Sequence, residues 1–150
     1  QDSKGNIWIC TDAGVTKYDG FYFKTYTVND GLIDNVVFDF YEDQWGKIWF
    51  LSYNSRLCYL ENGKIVSYKY NDIIDKFTSL KTAGEKVLYL DNKKNLYYSI
   101  RYSGLLKISK DGNWEQLHKN KNSLCLKRID EQYMLSLRND YVIKPKKNTV

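Results

Sequence analysis

The sequence predicts an all-β fold, a β-propeller fragment of about three to four four-stranded blades. Three observations predict it. A signature occurs twice, as Asp2-Ser-Lys-Gly-Asn-Ile-Trp-Ile-Cys-Thr11 and as Asp43-Gln-Trp-Gly-Lys-Ile-Trp-Phe-Leu-Ser52, about 41 residues apart. A period of about 40 to 45 residues belongs to propeller blades of four strands each. Inside the signature, Ile7-Trp-Ile-Cys10 and Ile48-Trp-Phe-Leu51 are apolar at consecutive positions. Such a strand must be covered on both faces, as a sheet between neighbouring sheets is. Finally, 14 Tyr, 6 Phe and 4 Trp against a single Pro favour strands over helices.

Blade one, residues 1–28, is expected to be incomplete because it opens without its innermost strand. Asp2 and Gly5 suit a type I turn, the Asp oxygen accepting from backbone amides and the Gly relaxing the exit. A strand Ile7–Thr11 follows, then a turn at Asp12-Ala-Gly14, a strand Val15–Tyr18, a tight Asp19-Gly20 turn and a strand Phe21–Thr27. An Asp-Gly pair between two strand-like runs is a strong hairpin signal. Asn29-Asp-Gly-Leu-Ile-Asp-Asn35 is the polar connection to the next blade.

Blade two, residues 36–70, is the complete one: Val36–Glu42, Lys47–Ser52, Arg56–Leu60 and Lys64–Tyr70, with Asn62-Gly63 at the hairpin position of Asp19-Gly20. Blade three, about 78–118, is degenerate. Lys86–Asp91 supplies the inner strand, and Asn95–Ser99 the second, with Tyr97 where Trp8 and Trp49 stand and Lys94 in place of the turn Gly. Gly104–Ile108, a hairpin at Asp111-Gly112 and Trp114–Leu117 complete it. The stretch Asn71–Gly84 has room for an extra strand around Thr78–Thr82, of undetermined register. A partial fourth blade, about 123–150, reads Ser123–Arg128, Gln132–Leu137 and Tyr141–Ile143.

The 150 residues suit one domain by size. Lys and Arg number 23 against 18 Asp and Glu, a net charge of +5. That charge is spread along the chain, its densest cluster being Lys144-Pro-Lys-Lys147, and no RNA- or DNA-reading motif accompanies it, so no nucleic-acid partner is expected in this region. No apolar run approaches the roughly 18 residues of a membrane span. No signal peptide is visible, and Gln1-Asp2, opening directly on the motif, reads as a cut inside a longer protein. The three cysteines, Cys10, Cys58 and Cys125, lack metal-ligand spacing, and an odd count argues against a complete disulfide framework. Cys10 and Cys58 fall in apolar strands, where a buried free thiol is expected. The single histidine, His118, closes a strand. Asp39 and Asp43 form a pair of carboxylates, of which Asp43 is better used in the turn. No metal, cofactor or catalytic set is implied. An open arc of blades exposes apolar faces at its ends, which predicts self-association or completion of the ring by other sequence.

The signature, followed by Gly14-Val-Thr-Lys-Tyr-Asp-Gly20 and by Tyr26-Thr-Val-Asn-Asp-Gly-Leu-Ile-Asp-Asn35, resembles the two-component regulator propeller repeat. The match holds over Asp2–Asn35 and again over Val36–Leu60, weakens in blade three, and is a bare strand pattern beyond. The resemblance implies the sensor region of a hybrid two-component system on the periplasmic or extracellular side of the membrane. Such sensors carry two seven-bladed propellers ahead of an immunoglobulin-like domain, a membrane span, a kinase and a DNA-binding regulator, and many respond to oligosaccharides. Membrane attachment and kinase activity would lie in those downstream parts. The motif residues build turns and blade packing in that family, so none is carried over as a ligand contact.

The expected function is ligand sensing without enzymatic activity, for a small polar ligand of which an oligosaccharide is the favoured class. Loops at one end of a rigid scaffold carry specificity. Here they hold Asp12, Asp30, Asp34, Tyr53, Asn54, Arg56, Asp72, Arg101 and Tyr102, of which Tyr53, Asn54, Arg56, Arg101, Tyr102 and Asp12 are the candidate ligand-binding residues. Tyr53-Asn-Ser-Arg56 departs from the family's Thr-x-x-Gly, and an aromatic face beside amide and guanidinium donors suits a sugar acid or polar glycan. The same residues also read as a solvated loop whose Tyr packs locally. Two alternatives stand beside sensing: an interaction or dimerisation propeller without a small ligand, and a metal-assisted lyase, for which the sequence lacks convergent His or carboxylate ligands.

Overall fold

The computed structural model describes residues 1–78, 86–100, 103–118, 124–129, 132–137 and 142–143, with side chains through residue 117. Among the described residues, fourteen strands form four antiparallel sheets; the chain divides into two compact units, 1–83 and 84–150.

The first unit holds two sheets. The first sheet runs β1 (Ile7–Thr11), β2 (Gly14–Tyr18) and β3 (Phe23–Tyr26) in that order; the second runs β4 (Val37–Glu42), β5 (Ile48–Ser52), β6 (Leu57–Glu61) and β7 (Lys64–Ser67). The first therefore has three strands, lacking the one that β4 supplies in the second. Trp8, Val15 and Tyr26 on one face of the first sheet meet Ile48, Phe50 and Cys58 of the second in a shared buried core, joined by Leu32 and Val37. The Trp8 ring lies 5.6 Å from Phe50 and 6.1 Å from Phe40. Burying one such aromatic side chain stabilises by about 1.5–3 kcal/mol. β5 is buried along its whole length, which is why it is written without polar alternation.

The second unit holds β8 (Lys86–Leu90), β9 (Leu96–Ile100), β10 (Gly104–Ile108) and β11 (Trp114–His118) as a four-stranded sheet, and β12 (Leu124–Ile129), β13 (Gln132–Leu137) and β14 (Val142–Ile143) as a three-stranded one.

Each signature builds the same turn. The Asp2 amide donates to the Asn6 carbonyl at 2.9 Å and the Gly5 amide to the Asp2 carbonyl at 3.1 Å; Asp43 with Lys47 and Asp91 with Asn95 repeat the first bond at 3.0 Å each. The fourth turn residue lies in the left-handed region in all three: Gly5 at φ 85°, Gly46 at φ 76° and Lys94 at φ 62°. Blade three thus keeps the turn after losing its glycine.

Two expectations are corrected. The blade-one hairpin is a four-residue loop, because Tyr18 pairs with Phe23. Asp19 Oδ1 accepts from the Phe21 and Tyr22 amides at 3.0 and 2.8 Å, which withdraws both residues from the ladder and starts β3 at Phe23. Asn62-Gly63, by contrast, is a two-residue turn with both residues at positive φ, 51° and 77°, the geometry that matches strand twist. In addition, residues Asn71–Phe77 form a helix, α1, where the sequence suggests only a long connection. The extra strand around Thr78–Thr82 lies, after Thr78, outside the described residues.

Candidate functional site

Register fixes which loops of the first unit share an end. Thr11 pairs with Gly14 and Val15 with Tyr26, so the Asp12-Ala13 turn sits beside the end of β3. The chain crosses from there to β4, whose first residue Val37 pairs with Ser52, and the Tyr53 amide donates to the Val36 carbonyl at 2.9 Å. The Tyr68 amide donates to the Leu57 carbonyl at 2.9 Å just before α1 begins. Asp12, Tyr53, Asn54, Arg56 and α1 therefore belong to one end of this unit, and the signature turns and hairpins to the other.

The crossing segment is closed by its own polar groups. Thr27 caps a 3-10 turn, Val28–Asp30, and Asp30 Oδ2 accepts from the Thr27 amide at 2.9 Å and hydroxyl at 3.0 Å. Asp34 Oδ1 accepts from the Val36 amide at 3.0 Å. Both carboxylates hold loop backbone.

Asn54 and Arg56 are committed within the fold as well. Asn54 Oδ1 accepts from the Ser52 hydroxyl at 3.2 Å and the Arg56 amide at 3.1 Å, while its Nδ2 donates to the Ile33 carbonyl at 3.2 Å. This amide ties the β5–β6 loop to the crossing segment. The Arg56 guanidinium grips Asp75 of α1 in a two-pronged pair, with Nε at 3.0 and 3.1 Å from the two carboxylate oxygens and Nη2 on Oδ2. That hydrogen bond raises the Arg56 pKa, the charge of Asp75 adding to it. α1 is held a second time at its first residue. Buried Asn71 accepts from the Leu57 amide at 2.8 Å and donates to the Leu57 carbonyl at 2.9 Å and the Ser67 hydroxyl at 3.1 Å.

Tyr53 is different. Its ring is 38% exposed and lies 6.4 Å from that of Phe38, itself 50% exposed, at an interplanar angle of 55°. Phe38 sits where the β4 register slips between Val37 and Asp39, a bulge that re-aims a side chain. The outcome is a two-ring aromatic surface at the loop end. Sequence reasoning singled out Tyr53 but missed Phe38; the signal was the broken alternation of Val36-Val-Phe-Asp-Phe40. Asp12 is exposed in its turn. Arg101 and Tyr102 lie outside the described residues, as do the side chains of His118 and Cys125.

The described thiols are free and far from reactive. Burial pushes Cys10 up to about 11, with Asp39 adding to it, and pushes Cys58 up to about 11 against a backbone hydrogen bond at Ile33. Among the described residues there is no group of three or more His, Cys, Asp or Glu side chains that could hold a metal ion. Among them, too, no helix is long and apolar enough to cross a membrane.

With this geometry in place, comparison with known proteins is direct. Residues 31–54, which run from the crossing segment through the second signature into the β5–β6 loop, match the family model described as two component regulator propeller. The chain's fold is similar to that of several solved structures. One is described as the extracellular domain of a hybrid two component system from B. thetaiotaomicron, at 19% identity and TM-score 0.75 over 97% of this chain and 21% of that one. Another, given the same description, stands at 18% identity and TM-score 0.70 over 98% and 22%. A virginiamycin B lyase from Staphylococcus aureus matches at 14% identity and TM-score 0.60 over 99% of this chain and 54% of that one. The chain thus spans about a fifth of the length of the two extracellular domains. No curated protein matches it in sequence.

Proposed function

We propose that these residues are part of an extracytoplasmic sensor propeller of a two-component regulatory system, and that the loop end contributes to holding a small polar ligand. The observation that carries this reading is the family match at residues 31–54 together with fold likeness, over nearly the whole chain, to extracellular domains of hybrid two component systems. The chain itself has no catalytic role in this reading; the kinase that receives the signal lies elsewhere in the parent protein.

The ligand class is an oligosaccharide. Support comes from the Phe38–Tyr53 surface, since exposed aromatic rings stack on the apolar faces of sugar rings while polar neighbours supply orientation. Tyr53 is the contact residue, with Asp12 at the same end of the first unit. Asn54 and Arg56 contribute by shaping the loop and anchoring α1. The test is a thermal-shift screen of glycans on the intact ectodomain. A binder raises the midpoint by mass action, about 2.7 kcal/mol at a hundred times Kd, and Tyr53→Ala is expected to weaken it at least tenfold with the unliganded midpoint unchanged. A binder whose affinity ignores Tyr53→Ala removes the loop end from the site; no binder at all favours an interaction propeller.

A lyase reading has one observation in its favour, the fold likeness to virginiamycin B lyase. Incubating the chain with a streptogramin B antibiotic and following ring opening by mass spectrometry tests it, with an unchanged substrate the expected result.

A further inference from the structure

The aromatic surface of Phe38 and Tyr53 has an acidic neighbour. Val37 and Phe40 both belong to or pack against the core shared with the first sheet, although they are three residues apart, because the β4 register slips between Val37 and Asp39. The slip leaves the two residues between them, Phe38 and Asp39, outside that core and exposed. Asp39 pairs with Leu51, two residues before Tyr53. A carboxylate therefore stands beside the two rings.

Half of that carboxylate is open to a ligand. Asp39 Oδ1 accepts from the Phe40 amide at 2.8 Å, which fixes the group against its own strand, while Oδ2 accepts no hydrogen bond from any described residue. Among the described residues, no cation at this end cancels its charge. The Arg56 guanidinium is taken by Asp75. α1 carries Asp72 and Asp75 against Lys76, so the helix and Arg56 together add no net positive charge. Lys69 follows β7, at the far edge of the strand order β4-β5-β6-β7. Three strand spacings put that edge about 14 Å from β4, past the roughly 8 Å over which exposed charges act at physiological ionic strength. The charge of Asp39 reaches instead toward the end of β1, where it helps raise the Cys10 pKa, two residues before exposed Asp12.

We propose that the loop end takes an oligosaccharide free of acidic groups, and that Asp39 is the residue that sets this choice. The inference rests on the oligosaccharide reading of this end and narrows it. On sequence alone, Tyr53-Asn-Ser-Arg56 suits a sugar acid; in the fold its guanidinium is already paired, and the oxygen left facing solvent beside the rings is anionic. A sugar stacked on Tyr53 or Phe38 brings its hydroxyl or amino protons to Asp39 Oδ2, and a charge-assisted hydrogen bond is stronger than a neutral one. A uronic acid or a sulfated sugar in the same place meets like charge.

An array of neutral, amino-bearing, uronic-acid and sulfated oligosaccharides, probed with the intact ectodomain and with its Tyr53→Ala and Asp39→Asn variants, tests it. Probes whose binding Tyr53→Ala weakens belong to this end. They are expected to be neutral or amino-bearing, and Asp39→Asn is expected to weaken them about tenfold. Asn keeps an acceptor for the Phe40 amide, so the unliganded thermal midpoint is expected to stay in place. Probes that depend on Tyr53 and are acidic, or that ignore Asp39→Asn, overturn the inference and leave the oligosaccharide reading standing. An array without any Tyr53-dependent probe removes that reading, and the choice attributed to Asp39 falls with it.

Discussion

At the scale of single residues, the signature is a hydrogen-bonded unit as well as a turn. Asp2 Oδ1 accepts from the Lys4 and Asn6 amides at 3.0 and 2.8 Å, and Oδ2 accepts from the Trp8 indole at 2.8 Å. Asp43 and Trp49 repeat the indole bond at 3.0 Å, and in the degenerate third copy the Tyr97 hydroxyl reaches Asp91 at 3.3 Å. The Asp thus locks the turn and orients the aromatic ring that fills the space beside the next sheet. Trp49→Phe keeps the ring and orphans a buried carboxylate oxygen, so it is expected to destabilise by about 1–3 kcal/mol in urea unfolding. For Asp2, burial acts upward, but the hydrogen bonds from Trp8, Asn6 and Lys4 outweigh it and hold the carboxyl below its ordinary 3.8. A depressed folded-state pKa gives stability that is present above the unfolded value and disappears as pH falls through the folded one. Trp8→Phe is therefore expected to narrow the stability difference between about pH 6 and pH 3, read from urea midpoints at the two values. The periodic Asp and Trp were plain in the sequence. That they bond to each other was not, because a six-residue spacing across a turn shows its geometry only once the turn is folded.

At the scale of elements, turns decide where strands stop. Gly14 starts β2 at φ 124°, and a Cβ there would stand 2.3 Å from the Tyr26 carbonyl oxygen of β3, whereas Gly63 at φ 77° has nothing within 4 Å. Gly63→Ala is expected to cost about 1 kcal/mol of backbone strain, and Gly14→Ala on the order of 3 kcal/mol or more, since a backbone must also move. Lys94, at φ 62°, holds a conformation that suits glycine, so Lys94→Gly is expected to raise stability by up to about 1 kcal/mol. For α1, Asn71→Ala strips partners from the Leu57 backbone and is expected to cost about 2 kcal/mol. Arg56→Ala breaks a half-exposed ion pair and is expected to cost under about 1 kcal/mol. Thermal or urea unfolding orders all five.

These elements also mark what the sequence could say. Strand centres in both units follow from apolar runs and paired turn signals, and they lie where expected. α1 escaped because seven residues give too little helical period to see, although Asp72 in its first turn and Lys76 in its last were available signs. Of the candidate site, Tyr53 was legible as an aromatic in a loop. The internal partners of Asn54 and Arg56 were not, since Ile33 and Asp75 are 21 and 19 residues away in sequence.

At the scale of the whole molecule, the repeat makes each sheet depend on a neighbour for one of its faces. A neighbour-dependent fold explains why a chain about a fifth as long as a similar extracellular domain already contains a buried core: two signatures suffice to seal one interface between sheets.

The dependence of one signature on the next is open to a double-mutant cycle between Trp8 and Phe50, whose rings meet across the two sheets at 5.6 Å. Loss of the indole bond to Asp2 occurs in both arms of the cycle and cancels. Urea unfolding of Trp8→Leu, Phe50→Leu and the double variant should show a coupling of roughly 0.5–1.5 kcal/mol. Strict additivity, within about 0.3 kcal/mol, would mean that the two copies of the signature do not pack against each other.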